Sequence, residues 1–185
     1  MLTRRLFIAA GLAATILPAS AAVLGDDGLH KAPWMQDTFR DLREDLAEAT
    51  ASGRHLLLMI EQRGCIYCTQ MHEQVYPDEA ITRLLSDDFF VIQINMFGDI
   101  PVTDFDGETL AEKDIVRKWR AVFTPTLIFL PPGVSDDVSA ARAAAVTMQG
   151  ALDIQTTTAL LEWVREGGYA GGSFQDYMAA RAADG

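Results

Sequence analysis

Apolar and polar positions fall in blocks along this chain, and the period changes from block to block. Over residues 33–52, Trp34, Met35, Phe39, Leu42, Leu46 and Ala49 recur at three- and four-residue spacing with Asp, Arg and Glu between them. This spacing predicts an amphipathic helix lying across a sheet, and Gly53 follows as its stop. Residues 55–61 instead form a continuous apolar run, the pattern of a central parallel strand buried on both faces. Gln62-Arg63-Gly64 turns the chain, and residues 65–75 predict a helix that Pro77 ends. Asp78 is placed to cap a further helix with Ile81, Leu84 and Leu85 facing inward. Residues 89–96 read as a second strand, 98–109 as a polar loop, and 110–120 as a helix with Ile115, Val116 and Trp119 on one side. Thr124-Pro125-Thr126 leads into a third strand at 127–130, and a weaker one is expected at 144–148, closed by Gly150. A helix from Asp153 or Thr156 to Glu166, glycine pairs at 167–168 and 171–172, and a terminal helix capped by Ser173 complete the chain. Strands alternating with helices in this way predict an α/β structure with a mixed sheet.

The first residues carry another kind of signal. Arg4 and Arg5 precede an apolar run at 6–17, which is too short to span a bilayer comfortably. Pro18 breaks the run, and Ala19-Ser20-Ala21 has small residues at cleavage-site spacing. Residues 1–21 are expected to be an export signal peptide; a retained N-terminal anchor is the competing reading. Thr3-Arg4-Arg5-Leu6-Phe7-Ile8 resembles the twin-arginine (Tat) motif, and ordinary secretory (Sec) export fits the same residues. The chain carries a net charge of −11, and loss of Arg4 and Arg5 makes it more acidic still. Such a surface repels phosphate backbones, which argues against nucleic acid as a partner. No later stretch is long and apolar enough for a membrane-spanning helix, so the expected location is the periplasm.

The chain has two cysteines, Cys65 and Cys68, at the junction of the first strand and its following helix. A thiol pair at that place is suited to redox exchange, with the cysteines themselves carrying the electrons and no organic cofactor needed. In an oxidising compartment such a pair drifts to the disulfide unless a partner keeps reducing it. The competing reading is a metal-binding chaperone site: Cys65, Cys68 and His72 give C-x2-C-x3-H, three ligands where a structural zinc site wants four. Otherwise His72 is expected on the helix surface. Glu61 is a candidate proton acceptor for Cys68, against the more frequent case of a solvated acid at a strand end. Asp99, Asp104, Asp106 and Glu108 in the 98–109 loop follow the second strand and are candidates for an acidic rim beside the cysteines; a solvated surface loop is the competing reading.

The order of elements, the CxxC at a strand-to-helix junction and the distant Thr124-Pro125 resemble the thioredoxin superfamily. Gly64-Cys65-Ile66-Tyr67-Cys68, Val102-Thr103-Asp104-Phe105-Asp106-Gly107, Phe123-Thr124-Pro125-Thr126 and Phe174-Gln175-Asp176-Tyr177-Met178 are similar to SoxW-type periplasmic thioredoxins of bacterial sulfur oxidation. The resemblance implies an α/β thioredoxin fold: a central mixed β-sheet flanked by helices, with an N-terminal helix and a short C-terminal helix. It divides the chain into a signal peptide (1–21), a flexible lead (22–33), the thioredoxin-fold domain (34–166) and a glycine-rich hinge with terminal helix (167–185). It implies a thiol:disulfide oxidoreductase in which Cys65 attacks, Cys68 resolves and a cis Pro125 packs beside them. Gly64, Ile66, Tyr67 and Thr124 are the expected substrate contacts. It further implies a CcdA-like membrane thiol transporter as electron donor and a SoxYZ-type carrier as acceptor. A Dsb-type oxidase or isomerase is the alternative enzyme. Two positions depart from the family pattern: Met59 stands where many thioredoxins carry a buried acid, and Gly64 where many carry Trp.

Overall fold

The computed structural model describes residues 22–183, so the expected signal peptide at 1–21 lies outside the described residues. The centre is strand β4, His55–Glu61, whose last six residues are buried. It runs parallel to β5, Phe89–Asn95, with Met59 opposite Gln93 and Glu61 opposite Asn95. On its other edge β4 pairs antiparallel with β8, Thr126–Phe129, which in turn pairs antiparallel with β9, Val146–Gln149. A short strand β3, Met35–Gln36, adds in parallel to the far edge of β5. The five-stranded order is β3-β5-β4-β8-β9, a mixed sheet as the resemblance implies. The continuous apolar run of β4 follows from this place: both edges are paired and both faces are covered.

Alternate residues of β4 serve two cores. Leu57 and Met59 pack with Met71, Val75, Ile81, Leu84, Leu85, Leu160, Trp163 and Phe174. These come from the π-helical turn Met71–Val75 that continues α2 (Ile66–Gln70), from α3 (Glu79–Asp87), from α6 (Ile154–Arg165) and from the terminal α7 (Phe174–Ala183). Leu56, Leu58 and Ile60 pack on the opposite face with Leu42, Leu46 and Ala49 of α1 (Leu42–Ala51), with Ile115 and Val116 of α4 (Glu112–Lys118) and Trp119 just after it, and with Ala140 of the short α5 (Ala140–Ala143). Each such leucine, wholly withdrawn from water, contributes about 2 kcal/mol. Asp78 caps α3 by accepting from the Ala80 and Ile81 N–H groups, and Asp153 caps α6 by accepting from Thr156, as their positions predict.

Three regions differ from the sequence reading. The helix expected at 33–52 begins only at Leu42, capped by Asp41, which accepts from the Arg43 and Glu44 N–H groups. Upstream, Met35 and Gln36 are strand, and Phe39, counted into the apolar stripe, is 98% exposed. Residues 22–33 form a hairpin and not a flexible lead: β1 (Val23–Leu24) pairs antiparallel with β2 (His30–Lys31), and Leu29 between them is buried. The polar loop at 98–109 contains a strand, β6 (Pro101–Thr103), and its partner β7 (Thr109–Ala111) lies where a helix start was expected. Val102 and Phe105 anchor this hairpin in the α1–α4 core. Asp104 is fully buried and accepts from Trp119 Nε1 at 2.8 Å and from the Ala140 N–H at 2.8 Å. No helix among the described residues is long and apolar enough to cross a membrane.

Asp45 in α1 is a buried carboxylate of another kind. Burial, reinforced by Asp41, Glu48 and Glu44, pushes it up to about 6, against an opposing hydrogen bond from Thr38. A carboxyl raised in the folded state holds its proton while the unfolded chain has lost it, so stability falls as pH rises from about 4 to about 6 and then levels. Asp45→Asn is expected to remove that slope and to raise the unfolding free energy at pH 7 by about 1–2 kcal/mol. Urea midpoints of the two proteins at pH 4, 5 and 7 check this.

Candidate active site

The turn that leaves β4 depends on Gly64, whose φ of +72° lies in the left-handed region that side chains disfavour. It delivers Cys65 in extended conformation to the N-cap of α2. There the Cys65 sulfur accepts the Cys68 N–H at 3.0 Å, standing where a serine or aspartate oxygen caps an ordinary helix. A thiolate at this point faces unpaired N–H groups and the positive end of the helix, which stabilise an anion. Cys65 and Cys68 are joined by a disulfide, so the structure shows the oxidised state. Cys68, one turn in, is 2% exposed against 7% for Cys65. Between them Ile66 and Tyr67 stand out into solvent, 73% and 55% exposed.

The Thr124–Pro125 peptide bond is cis. The Thr124 carbonyl oxygen lies 3.5 Å from Cys65 Sγ, and the Thr124 hydroxyl donates to the same sulfur at 3.3 Å. The Pro125 carbonyl accepts from the Gly150 N–H at 2.8 Å, which ties this segment to the end of β9. Beside the disulfide a groove of about 620 Å³ runs between Tyr67 and Gln70 on one side and Phe123, Thr124, Gln149, Gly150 and Ala151 on the other. The segment 64–68 and the Thr124-Pro125 peptide are thus brought together at the Cys65 sulfur. Phe123, 62% exposed, and Gln149-Gly150-Ala151 are lining residues that the sequence reading did not assign to the site. The available signal was Gly150, which has φ of +90° directly after a strand and turns the chain toward Pro125.

Glu61 and His72 overturn two expectations. Glu61 is not a solvated strand-end acid: it is 1% exposed. His72 is not on the helix surface: its side chain is fully buried, and its Nε2 lies 2.9 Å from Glu61 Oε1. Gln93 Nε2 donates to the other carboxylate oxygen at 2.6 Å and to the His30 carbonyl at 2.8 Å. The His72 ring stacks on His30 with centroids 4.8 Å apart and meets the Tyr76 ring edge-on. With Nε2 engaged by Glu61 and the two sulfurs bonded to each other, Cys65, Cys68 and His72 do not assemble as a ligand set. No group of three or more His, Cys, Asp or Glu side chains among the described residues is arranged to hold a metal. The acidic rim does not form either. Asp104 is buried, and Asp104, Asp106 and Glu108 converge on Lys118 at 3.0, 2.6 and 3.0 Å, while Asp99 pairs with Lys113.

A model of the thioredoxin-like domain matches residues 42–162. The chain belongs to the thioredoxin-like family. With its disulfide-bonded CxxC at the helix start, it is a thioredoxin-like thiol–disulfide oxidoreductase. No curated protein sequence matches the chain. Among solved structures it is similar to a thioredoxin from Thermus thermophilus, with 25% identity over 71% of this chain and 90% of that one and a TM-score of 0.53. A thioredoxin-fold protein from Helicobacter pylori shares the fold at 16% identity, over 69% of this chain and 81% of that one, with a TM-score of 0.52.

The N-cap placement of Cys65 separates the two thiols once the disulfide is reduced. Iodoacetamide at pH 7 is expected to alkylate Cys65 at least ~10-fold faster than Cys68. Mass mapping of the labelled peptides over time checks the ratio, and equal rates would remove the distinction between attacking and resolving sulfur.

Proposed function

We propose that this oxidoreductase is an exported periplasmic reductant of protein disulfides, of the SoxW type. The observation that carries the reading is the Cys65 sulfur at a helix N-cap, facing Thr124 across an open groove, with Cys68 buried behind it. The Cys65 thiolate attacks one sulfur of a partner disulfide, and the partner's other sulfur leaves as a thiolate. The Cys68 thiolate then attacks Cys65 Sγ and releases the second partner thiol. Two electrons pass to the partner, and Cys65–Cys68 becomes the disulfide. The Thr124 backbone beside the groove suits strand-like pairing with an extended partner segment, and Tyr67 and Phe123 offer it apolar contact.

The segment between the cysteines, Ile66-Tyr67, carries no positive charge to stabilise a thiolate further, which supports a reductant over a strong oxidant. In this reading a CcdA-like membrane thiol transporter returns electrons to Cys65–Cys68, and a SoxYZ-type carrier with a sulfur-bearing cysteine accepts them. The apolar run and small-residue site at 6–21 support export. Equilibration with a redox buffer is expected to give a reduction potential near ~−270 mV; a value near ~−120 mV would instead assign a Dsb-type oxidase. Cys68→Ser is expected to trap a mixed disulfide between Cys65 and a SoxYZ-type carrier, visible on non-reducing gels and lost with dithiothreitol. If the carrier forms no adduct while other exported proteins do, the carrier assignment is wrong and the reductase reading stands.

A further inference from the structure

The Glu61–His72 pair has no part in the exchange as written above, yet it is the one buried acid–imidazole contact beside the active-site helix among the described residues. Both side chains are sealed from water, and burying them is costly unless they are satisfied. Glu61 is satisfied: it takes His72 Nε2 and Gln93 Nε2. His72 is satisfied on one side only. Its Nδ1 is buried and has no hydrogen-bond partner among the described residues. A carboxylate only accepts, so the Nε2 facing Glu61 carries the ring proton and Nδ1 is the bare acceptor. While Cys65 and Cys68 are joined as the disulfide, a second proton on Nδ1 would leave a charged donor buried with nothing to accept it.

An acceptor left bare inside a protein calls for a donor that is present in another state. Cys68 supplies one. In the oxidised form its sulfur holds no proton, and in the reduced form it carries an S–H. Cys68 and His72 are four residues apart on a helix that continues unbroken from α2 into Met71–Val75. Residues at that spacing share a face, with Cβ atoms about 5–6 Å apart, and helical side chains lean toward the preceding turn.

We propose that His72 is the proton acceptor for the Cys68 thiol, with Glu61 as the residue that positions its ring and fixes its tautomer. The inference rests on the reading of Cys65 as attacking and Cys68 as resolving sulfur. In the resolving step the S–H bond of Cys68 breaks and its proton passes to His72 Nδ1. The freed electron pair on sulfur attacks Cys65 Sγ, the Cys65–partner S–S bond breaks, and the departing thiolate takes the proton from His72. No outside oxidant or reductant enters. The titratable groups around the ring are Glu61 from β4, His30 and Lys31 from β2, Tyr76 from the same helix and Cys68 itself. Lys31 is turned to Gln93 Oε1 at 2.6 Å and Asp27 at 2.7 Å, and burial pushes the Tyr76 phenol well above its ordinary value, so it stays neutral.

The test uses the reduced full chain and an aromatic disulfide that releases a coloured thiolate, followed by stopped-flow absorbance. A first phase reports attack by Cys65 and a second reports resolution by Cys68. His72→Gln is expected to leave the first phase in place, to slow the second about tenfold or more at pH 7, and to move its pH midpoint upward. Glu61→Gln is expected to move that midpoint in the same direction by less. A structural role alone lowers stability without moving the midpoint. A second-phase midpoint that stays put in both variants overturns the proposal; if His72→Gln loses its near-ultraviolet circular dichroism, an unmoved Glu61→Gln midpoint overturns it alone. Absence of the first phase in the native chain overturns the Cys65 reading and this inference with it.

Discussion

The double burial of β4 is the constraint on which the rest of the molecule depends. Its edges are taken by β5 and β8 and its faces by two layers of helices, so its register cannot slip without turning Leu57 and Met59 out of one core and Leu56, Leu58 and Ile60 out of the other. A strand held in one register also holds the turn at its C-terminal end. Gly64 turns the chain through a left-handed conformation, and Cys65 arrives at the helix N-cap with its sulfur on the Cys68 N–H. The partner strand β8 begins directly after Pro125, so the same pairing that seats β4 also brings Thr124 onto the Cys65 sulfur. The active site is in this sense the C-terminal end of β4 and the N-terminal end of β8, held by a common hydrogen-bond ladder.

Much of this was legible because local rules and tertiary structure agree. The unbroken apolar run of 55–61 needs two covered faces, and the sheet supplies them. Asp78 and Asp153 precede helices with clear inward residues, and both cap as expected. Where the reading went astray, one residue could satisfy either of two patterns. Phe39 falls at helical spacing from Met35 and Leu42, yet the chain there is strand and then irregular, with Arg40 at φ +57°, and Phe39 projects into water. The 98–109 segment is polar in composition, but Val102 and Phe105 are enough to anchor a hairpin, and Asp104 serves Trp119, the Ala140 N–H and Lys118 from inside the core.

Glu61 and His72 were hidden for a different reason. Each alone reads as a surface residue, and only contact between an element at 55–61 and one at 71–75 makes either burial tolerable. Sequence reasoning assigns burial residue by residue, so it misses pairs whose members excuse one another. Glycine gave a better signal than charge: Gly64 and Gly150, both at positive φ, mark the turn into the cysteines and the wall of the groove.

The cover over this pair comes from outside the segment that matches the family. The match begins at residue 42, whereas His30, Lys31 and Trp34 precede it. His30 stacks on the His72 ring and takes the Gln93 amide through its carbonyl, Lys31 holds the other end of Gln93, and the Trp34 ring lies parallel to His72 at 6.2 Å. The hairpin at 23–31 therefore acts as a lid on the Glu61–His72 contact. A hydrogen bond to a carboxylate gains strength as water is excluded from it, and so does the orientation that Glu61 imposes on the ring. A domain that began at residue 42 would lack the His30 and Trp34 rings that lie against His72 and the Lys31 contact that holds Gln93. The N-terminal segment thus belongs to the site physically, although it contributes no sulfur and no groove residue.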